Sequence, residues 1–213
     1  MEKLRITEIF HSLQGESSLT GLPTVFVRLT GCPLRCNYCD TEYAFTGGTR
    51  MTMAEILTEI AQYNCANVCV TGGEPLSQKA CLTLLSELCD QNYQVSLETS
   101  GALDISEVDE RVIKVMDLKT PASGEMSRNL MTNLAHMDSA DQLKFVICSR
   151  QDYDWAKLQI ETNNVSAIGE ILFSPSYEEV QPTELATWIL EDKLQVRMQI
   201  QLHKLLWGDK QGV

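Results

Sequence analysis

The chain has 213 residues, 44% of them hydrophobic, enough for a single globular domain with its own core. Seventeen basic against 29 acidic side chains leave a net charge of −12, a surface that repels phosphate backbones and argues against a nucleic-acid partner. No run is long and apolar enough to cross a bilayer, the N-terminus lacks a signal peptide's apolar core, and the cytosol is the expected compartment.

Apolar runs alternate with helical periods along the chain. Val25–Leu29 reads as a strand and leads into the cysteine-rich stretch 31–41. Thr52 and Glu55 form a capping-box pattern, followed by Met53, Ile56, Leu57 and Ile60 at i, i+3, i+4, i+7. Asn67–Thr71 is a second strand, after which Ser77 is expected to cap a helix facing inward with Cys81, Leu84, Leu85 and Leu88. Gln94–Glu98 and Arg111–Leu118 are further strands. The segment 121–141 is the least regular, rich in Asn, Ser and Met. Leu143–Cys148 and Glu170–Phe173 follow as strands, with a helix carrying Trp155 and Leu158 between them. Pro182 and Thr183 open a helix with Leu185, Trp188 and Ile189, and Val196–Leu202 closes the series as a strand ending at His203-Lys204.

Repeated βα units of this kind build a parallel sheet. The count falls short of a closed eight-stranded barrel, which takes roughly 250 residues, so a partial, incomplete parallel β/α barrel in one domain spanning 1–213 is expected. The polar clusters lie just after strands, in the cysteine loop and in the TGGEP, ETSG, DLKTP, SPS and LHK stretches. Barrel-type folds place their active sites at those strand ends.

Cys32, Cys36 and Cys39 stand in a C-x3-C-x2-C spacing. Three thiolates on one loop can hold three irons of an iron–sulfur cube, leaving the fourth for an outside ligand. A structural zinc site is the rival, but it needs a fourth ligand. The nearest histidine is His11, 21 residues before Cys32, and the others are His136 and His203. Cys65 and Cys69 are spaced as a pair, yet Cys69 sits in the apolar run Val68–Val70, where a cysteine behaves as a small hydrophobe. Chance clustering is the third possibility, opposed by the turn-forming Gly31, Pro33 and Asn37. Downstream, Gly72 and Gly73 end a strand in the run Thr71-Gly72-Gly73-Glu74-Pro75; two glycines there either make an ordinary turn or let the backbone approach a ligand.

The cysteine motif with aromatic Tyr38 before its last cysteine, joined to the later GGEP, resembles the radical S-adenosylmethionine superfamily. That resemblance implies a [4Fe–4S] cluster on the three cysteines, with S-adenosylmethionine on the open iron. GGEP, including Gly73 and Glu74, would bind the cofactor's methionine amino group, and Tyr38 would lie near its adenine. The opening Ile9–Glu16, with Leu13-Gln14-Gly15-Glu16, and the closing Gln201-Leu202-His203-Lys204 are similar to the 7-carboxy-7-deazaguanine synthases, lyases of deazapurine and queuosine biosynthesis.

This likeness runs from near residue 6 to near residue 207. It implies that Leu13, Gln14, Gly15, Glu16, Thr71 and His203 line the pterin pocket and that Arg28 pairs with the substrate carboxylate. It further implies that Thr41 holds Mg2+ through its hydroxyl, and that Lys119, Ser174 and Pro175 touch S-adenosylmethionine. The roles of Arg28, Thr41 and His203 bear most directly on turnover. Many relatives carry Ser-Pro-Lys where this chain has Asp117-Leu118-Lys119, so only the lysine carries over. The implied reaction contracts 6-carboxy-5,6,7,8-tetrahydropterin to 7-carboxy-7-deazaguanine with loss of ammonia, driven by a flavodoxin- or ferredoxin-type donor, in a homodimer.

Bland roles remain open for several of these residues. Arg28 could face solvent, Thr41 cap a turn and His203 sit satisfied in the core. Two other functions compete. One is an enzyme that plants a glycyl radical on a large protein partner; the other is a non-catalytic zinc or iron–sulfur module, distinguishable by metal analysis.

Overall fold

The computed structural model describes residues 2–163, 165, 167–177, 179–208, 210 and 212. Its strands are β1 (Lys3–Leu13), β2 (Pro23–Leu29), β3 (Thr49–Thr52), β4 (Asn67–Gly72), β5 (Gln94–Thr99), β6 (Ile113–Asp117), β7 (Gln142–Ile147), β8 (Glu170–Pro175) and β9 (Arg197–Met198). The helices are α1 (Met53–Ala61), α2 (Ala80–Asp90), α3 (Arg150–Thr162), α4 (Pro182–Glu191) and α5 (Leu202–Trp207).

One sheet runs in the order β3-β1-β2-β4-β5-β6-β7-β8-β9. From β2 to β9 every pairing is parallel, and the sheet ends at β3 and β9 without closing, as a partial barrel does. β1 and β3 extend it with antiparallel pairings that a purely βα reading does not anticipate. Their signal is in the sequence as a period of two: Leu4 and Ile6 are buried, while Lys3 and Arg5 are exposed.

Side-chain alternation divides the sheet into two faces. Val25, Val27 and Leu29 of β2, Val68 and Val70 of β4, and Val95 and Leu97 of β5 pack against Ile56 and Ile60 of α1 and Leu84, Leu85 and Leu88 of α2. A second core joins Phe145 of β7 and Phe173 of β8 to Tyr153 of α3 and Leu185 of α4. The opposite, concave face carries the intervening residues, where charged and polar groups such as Arg28, Thr71 and Glu98 mix with Phe26, Val115 and Val146. α1 starts as expected: Glu55 N donates to Thr52 Oγ1 and Thr52 N to Glu55 Oε2, a complete capping box.

Three local expectations give way to the structure. Ser77 does not cap α2; it ends a 3-10 turn over Pro75–Ser77, its hydroxyl bonded to Glu74 O, and the helix opens three residues later. Leu158 is largely exposed on α3, and Tyr153, buried between β8 and α4, is the anchor in its place. The final strand is only Arg197–Met198, because pairing to β8 stops there. His203 and Lys204 therefore sit on α5 instead of at a strand end. The irregular stretch holds 3-10 turns at Pro121–Ser123, Met126–Arg128 and Met131–His136.

Candidate active site

A cavity of about 680 Å³ opens on the concave face at the carboxyl ends of the parallel strands. Each strand contributes the residues that alternate with its core positions: Phe26 and Arg28 from β2, Thr71 from β4, Glu98 from β5, Val115 and Asp117 from β6, Lys144 and Val146 from β7, and Ser174 from β8. Register aligns them, with Arg28 opposite Thr71, Asp117 opposite Lys144, and Val146 opposite Ser174. The parallel pairing thus turns these alternate side chains toward one shared cavity, as on the interior of a barrel.

The cysteine loop closes one side. Cys32, Cys36 and Cys39 all line the cavity and are half-buried. Two contacts shape the loop. Gly31 turns with φ of 103°, and Gly73 lies so close that a Cβ there would come 2.5 Å from Gly31 O and 2.7 Å from Cys32 Cβ. Gly73 is therefore required by the approach of the cysteine loop itself and also borders the cavity, whereas a Cβ at Gly72 would come 2.6 Å from Leu29 O of β2. The 3-10 segment braces the loop from the far side: Asn37 N donates to Ser123 O, Asn37 Nδ2 to Ala122 O, and Arg35 N to Glu125 Oε1.

These donors fit an iron–sulfur cluster. Three half-buried thiols carried on one loop border one roomy cavity. Burial raises all three thiols above their ordinary range, Cys36 to about 11, so each would give up a proton as iron binds. Two buried atoms beside the thiols, Tyr38 OH and Asp117 Oδ1, lack any hydrogen-bond partner. Such atoms call for a polar ligand in the same cavity.

Glu74 has a different place from its glycine neighbours. Fully buried, it accepts from Leu76 N, Thr99 Oγ1, Ser100 N and Ser100 Oγ, fixing the loop after β5 against the turn after β4. Its carboxylate is thus occupied within the protein. Lys119 lies in the cavity with Nζ 3.0 Å from Asp117 Oδ2 and 5.6 Å from the Tyr38 ring centre. Burial disfavours its charge, but the Asp117 carboxylate beside it outweighs burial and holds it protonated. Asn129 clamps its backbone on both sides. Ser174 and Pro175 border the cavity from the end of β8.

Arg28 is held at the other side. A shift of register between Ile6 and Glu8 of β1 brings Glu8 opposite Arg28. Glu8 Oε1 accepts from Arg28 Nε at 2.7 Å and from Tyr43 OH at 2.8 Å, and the guanidinium lies between the Phe10 and Tyr43 rings. With Nε engaged, the two terminal nitrogens are left to form the fork that suits a carboxylate. Thr71 Oγ1 donates to Glu98 Oε2, and Gln14 Nε2 reaches Glu98 Oε1 at 3.4 Å.

The two termini of the sequence meet here. Leu202 N donates to Gly15 O, Ser17 N to Gln199 Oε1, and Gln201 Nε2 to Asp40 Oδ2. Leu13, Gln14, Gly15, Glu16, Thr41 and His203 consequently border one cavity despite spanning nearly the whole chain. Glu16 forms a partly buried ion pair with Lys144, whose charge burial opposes and Glu16 sustains. Thr41 donates its hydroxyl to Asp40 Oδ1 at 2.7 Å.

Of the residues singled out in the sequence, all but Glu74 border this cavity. Glu8, Tyr43 and Lys144 were missed, and Glu98 and Asp117 were marked only as members of the ETSG and DLKTP clusters, without a role. Glu98 and Lys144 each interrupt an apolar strand on its alternate phase, a signal that could have found them; Glu8 and Tyr43 carry none.

Comparisons with known proteins agree with this geometry. A profile of the radical SAM superfamily matches residues 26–121, from β2 past β6. The 7-carboxy-7-deazaguanine synthase of Chlorobaculum tepidum is 45% identical over 99% of this chain and 97% of its own. That of Koribacter versatilis is 40% identical, over 96% and 97% respectively. The crystal structure of QueE from Escherichia coli superposes with a TM-score of 0.77 at 22% identity, covering 94% of this chain and 95% of that one, a likeness of fold. With a three-thiol loop at the strand ends of an open parallel barrel and full-length identity of this order, the chain belongs to the 7-carboxy-7-deazaguanine synthase family of radical SAM proteins.

Proposed function

We propose that the protein converts 6-carboxy-5,6,7,8-tetrahydropterin to 7-carboxy-7-deazaguanine and ammonia, in deazapurine and queuosine biosynthesis. The observation that carries this reading is that the cysteine triad and the Arg28 fork open onto the same cavity. A family member of this kind uses a [4Fe–4S] cluster and S-adenosylmethionine, which together supply a carbon-centred radical able to abstract hydrogen.

The chain's own residues then bind and orient. Cys32, Cys36 and Cys39 hold the cluster. Tyr38, Gly73, Lys119, Ser174 and Pro175 bind S-adenosylmethionine, and Glu74 acts by holding Thr99 and Ser100 in place beside them. Arg28 grips the substrate carboxylate, assisted by Mg2+ on the Thr41 hydroxyl, with the Asp40 charge beside it. Leu13, Gln14, Gly15, Glu16, Thr71 and His203 surround the pterin. Holding one carbon against the radical source selects which bond reacts. A flavodoxin or ferredoxin in the cytosol supplies the electron, and the protein works as a homodimer.

The test is anaerobic incubation of reconstituted protein with the carboxytetrahydropterin, S-adenosylmethionine and dithionite, followed by mass spectrometry. The expected result is 7-carboxy-7-deazaguanine. Cleavage of S-adenosylmethionine with the pterin unchanged would refute the assignment.

A further inference from the structure

Against a net charge of −12, three cations gather beside the cysteine loop. Lys3 and Arg5 of β1 and Arg50 of β3, with Gln78, line a second surface depression. All three cations are exposed, and among the described residues none of their side chains makes an ion pair or hydrogen bond. Arg5 and Arg50 are cross-strand partners, an opposition of like charges that destabilises a sheet. Glu55 lies near enough for Lys3 to influence it, but its carboxylate is taken up by Thr52 N and Oγ1.

The patch is joined to the cysteine loop through one amide. Gln78 Nε2 donates to Arg5 O at 2.9 Å and to Thr30 O at 3.0 Å, and Gln78 Oε1 accepts from Arg5 N at 2.8 Å. Thr30 N also donates to Arg5 O, and Thr30 stands two residues before Cys32. A partner seated on these cations is therefore brought against the backbone that carries the first cluster thiol.

We propose that this face docks an acidic one-electron donor protein of the flavodoxin or ferredoxin type. The inference rests on the functional reading above and gives its electron donor a surface. The reduced donor loses one electron, the cluster gains it, and no bond is made or broken. Opposite charge across such a contact speeds encounter and makes it sensitive to salt. A second copy of the chain, set symmetrically on the same face, would place cation against cation.

The test uses the full chain, anaerobically reconstituted, in two triple variants. One is Lys3→Glu/Arg5→Glu/Arg50→Glu; the other, Lys3→Gln/Arg5→Gln/Arg50→Gln, removes charge without reversing it. The probe is a purified acidic flavodoxin, with affinity measured by titration at low salt and at about 0.15 M. The reversed variant should lose about tenfold or more in affinity, the neutral one less, and both should flatten the salt dependence. Flavodoxin-driven turnover should fall in step while dithionite-driven turnover stays at the wild-type level. Unchanged flavodoxin affinity would overturn the proposal and leave the cations as protection of the β3 edge. A shift in oligomeric state with donor affinity intact would overturn it in favour of a contact between copies. If the wild type forms no deazaguanine even with dithionite, the pterin reading fails, and the flavodoxin titration still judges the surface.

Discussion

Replacing Glu8 removes the carboxylate that aims Arg28, without touching any group assigned to the substrate. Glu8 Oε1 receives both Arg28 Nε and Tyr43 OH, in a pair whose side chains are only 21% and 16% exposed. A hydrogen bond to a charged group in such a setting contributes about 1.5–3 kcal/mol. Glu8→Gln keeps an acceptor oxygen at the same distance and loses only the charge, so about half of that, near 1 kcal/mol, is expected as the cost. That is about a fivefold fall in kcat/KM for the carboxytetrahydropterin. Glu8→Ala removes both bonds and frees the guanidinium to swing from its fork geometry. The full contribution is then lost, about 10- to 160-fold in kcat/KM. Since the carboxylate is present in ground and transition states alike, most of the change should appear in KM. The assay is steady-state turnover with dithionite, beside a substrate analogue lacking the carboxylate, whose binding should be insensitive to Glu8. Wild-type KM in Glu8→Ala, or equal losses for substrate and analogue, would refute the aiming role.

Cys36→Ala should lose the brown absorption, most of the iron and sulfide, and all turnover; product formation by that variant, reconstituted without oxygen, would contradict the cluster assignment. Thr41→Ala should weaken the response to Mg2+ and leave the cluster's visible absorption intact, and an unchanged Mg2+ response would move the metal elsewhere. Gly73→Ala must push a methyl into Gly31 O and Cys32 Cβ. Overpacking of this kind costs about 1–3 kcal/mol, so cluster content and thermal stability should fall together; normal values for both would mean the loop yields freely. Asp141→Ala should be the most damaging to the fold, because Asp141 pairs with buried Lys114 Nζ at 2.9 Å and accepts from Lys114 N and Asp138 N. Leaving one buried charge uncompensated costs about 3–5 kcal/mol, measurable by denaturant unfolding, and a loss below about 1 kcal/mol would show that water reaches Lys114.

The sequence alone determined what is local or periodic. Seven apolar runs announced parallel strands, the last of them too long, the Thr52–Glu55 box announced α1, and the spacing of three cysteines announced a metal-binding loop. It did not show that β1 and β3 pair antiparallel, that the last strand stops after two residues, or that Glu74 turns inward, since each depends on partners distant in the chain. Tertiary structure also decided why Gly73 is glycine: the neighbour it must admit is the cysteine loop, about forty residues earlier. The pairings of Glu8 with Arg28, Glu16 with Lys144 and Gln201 with Asp40 join residues 20, 128 and 161 positions apart. No local pattern encodes such pairs. Strand register and the docking of the C-terminal segment create them, because only the folded sheet fixes which alternate side chains share the concave face.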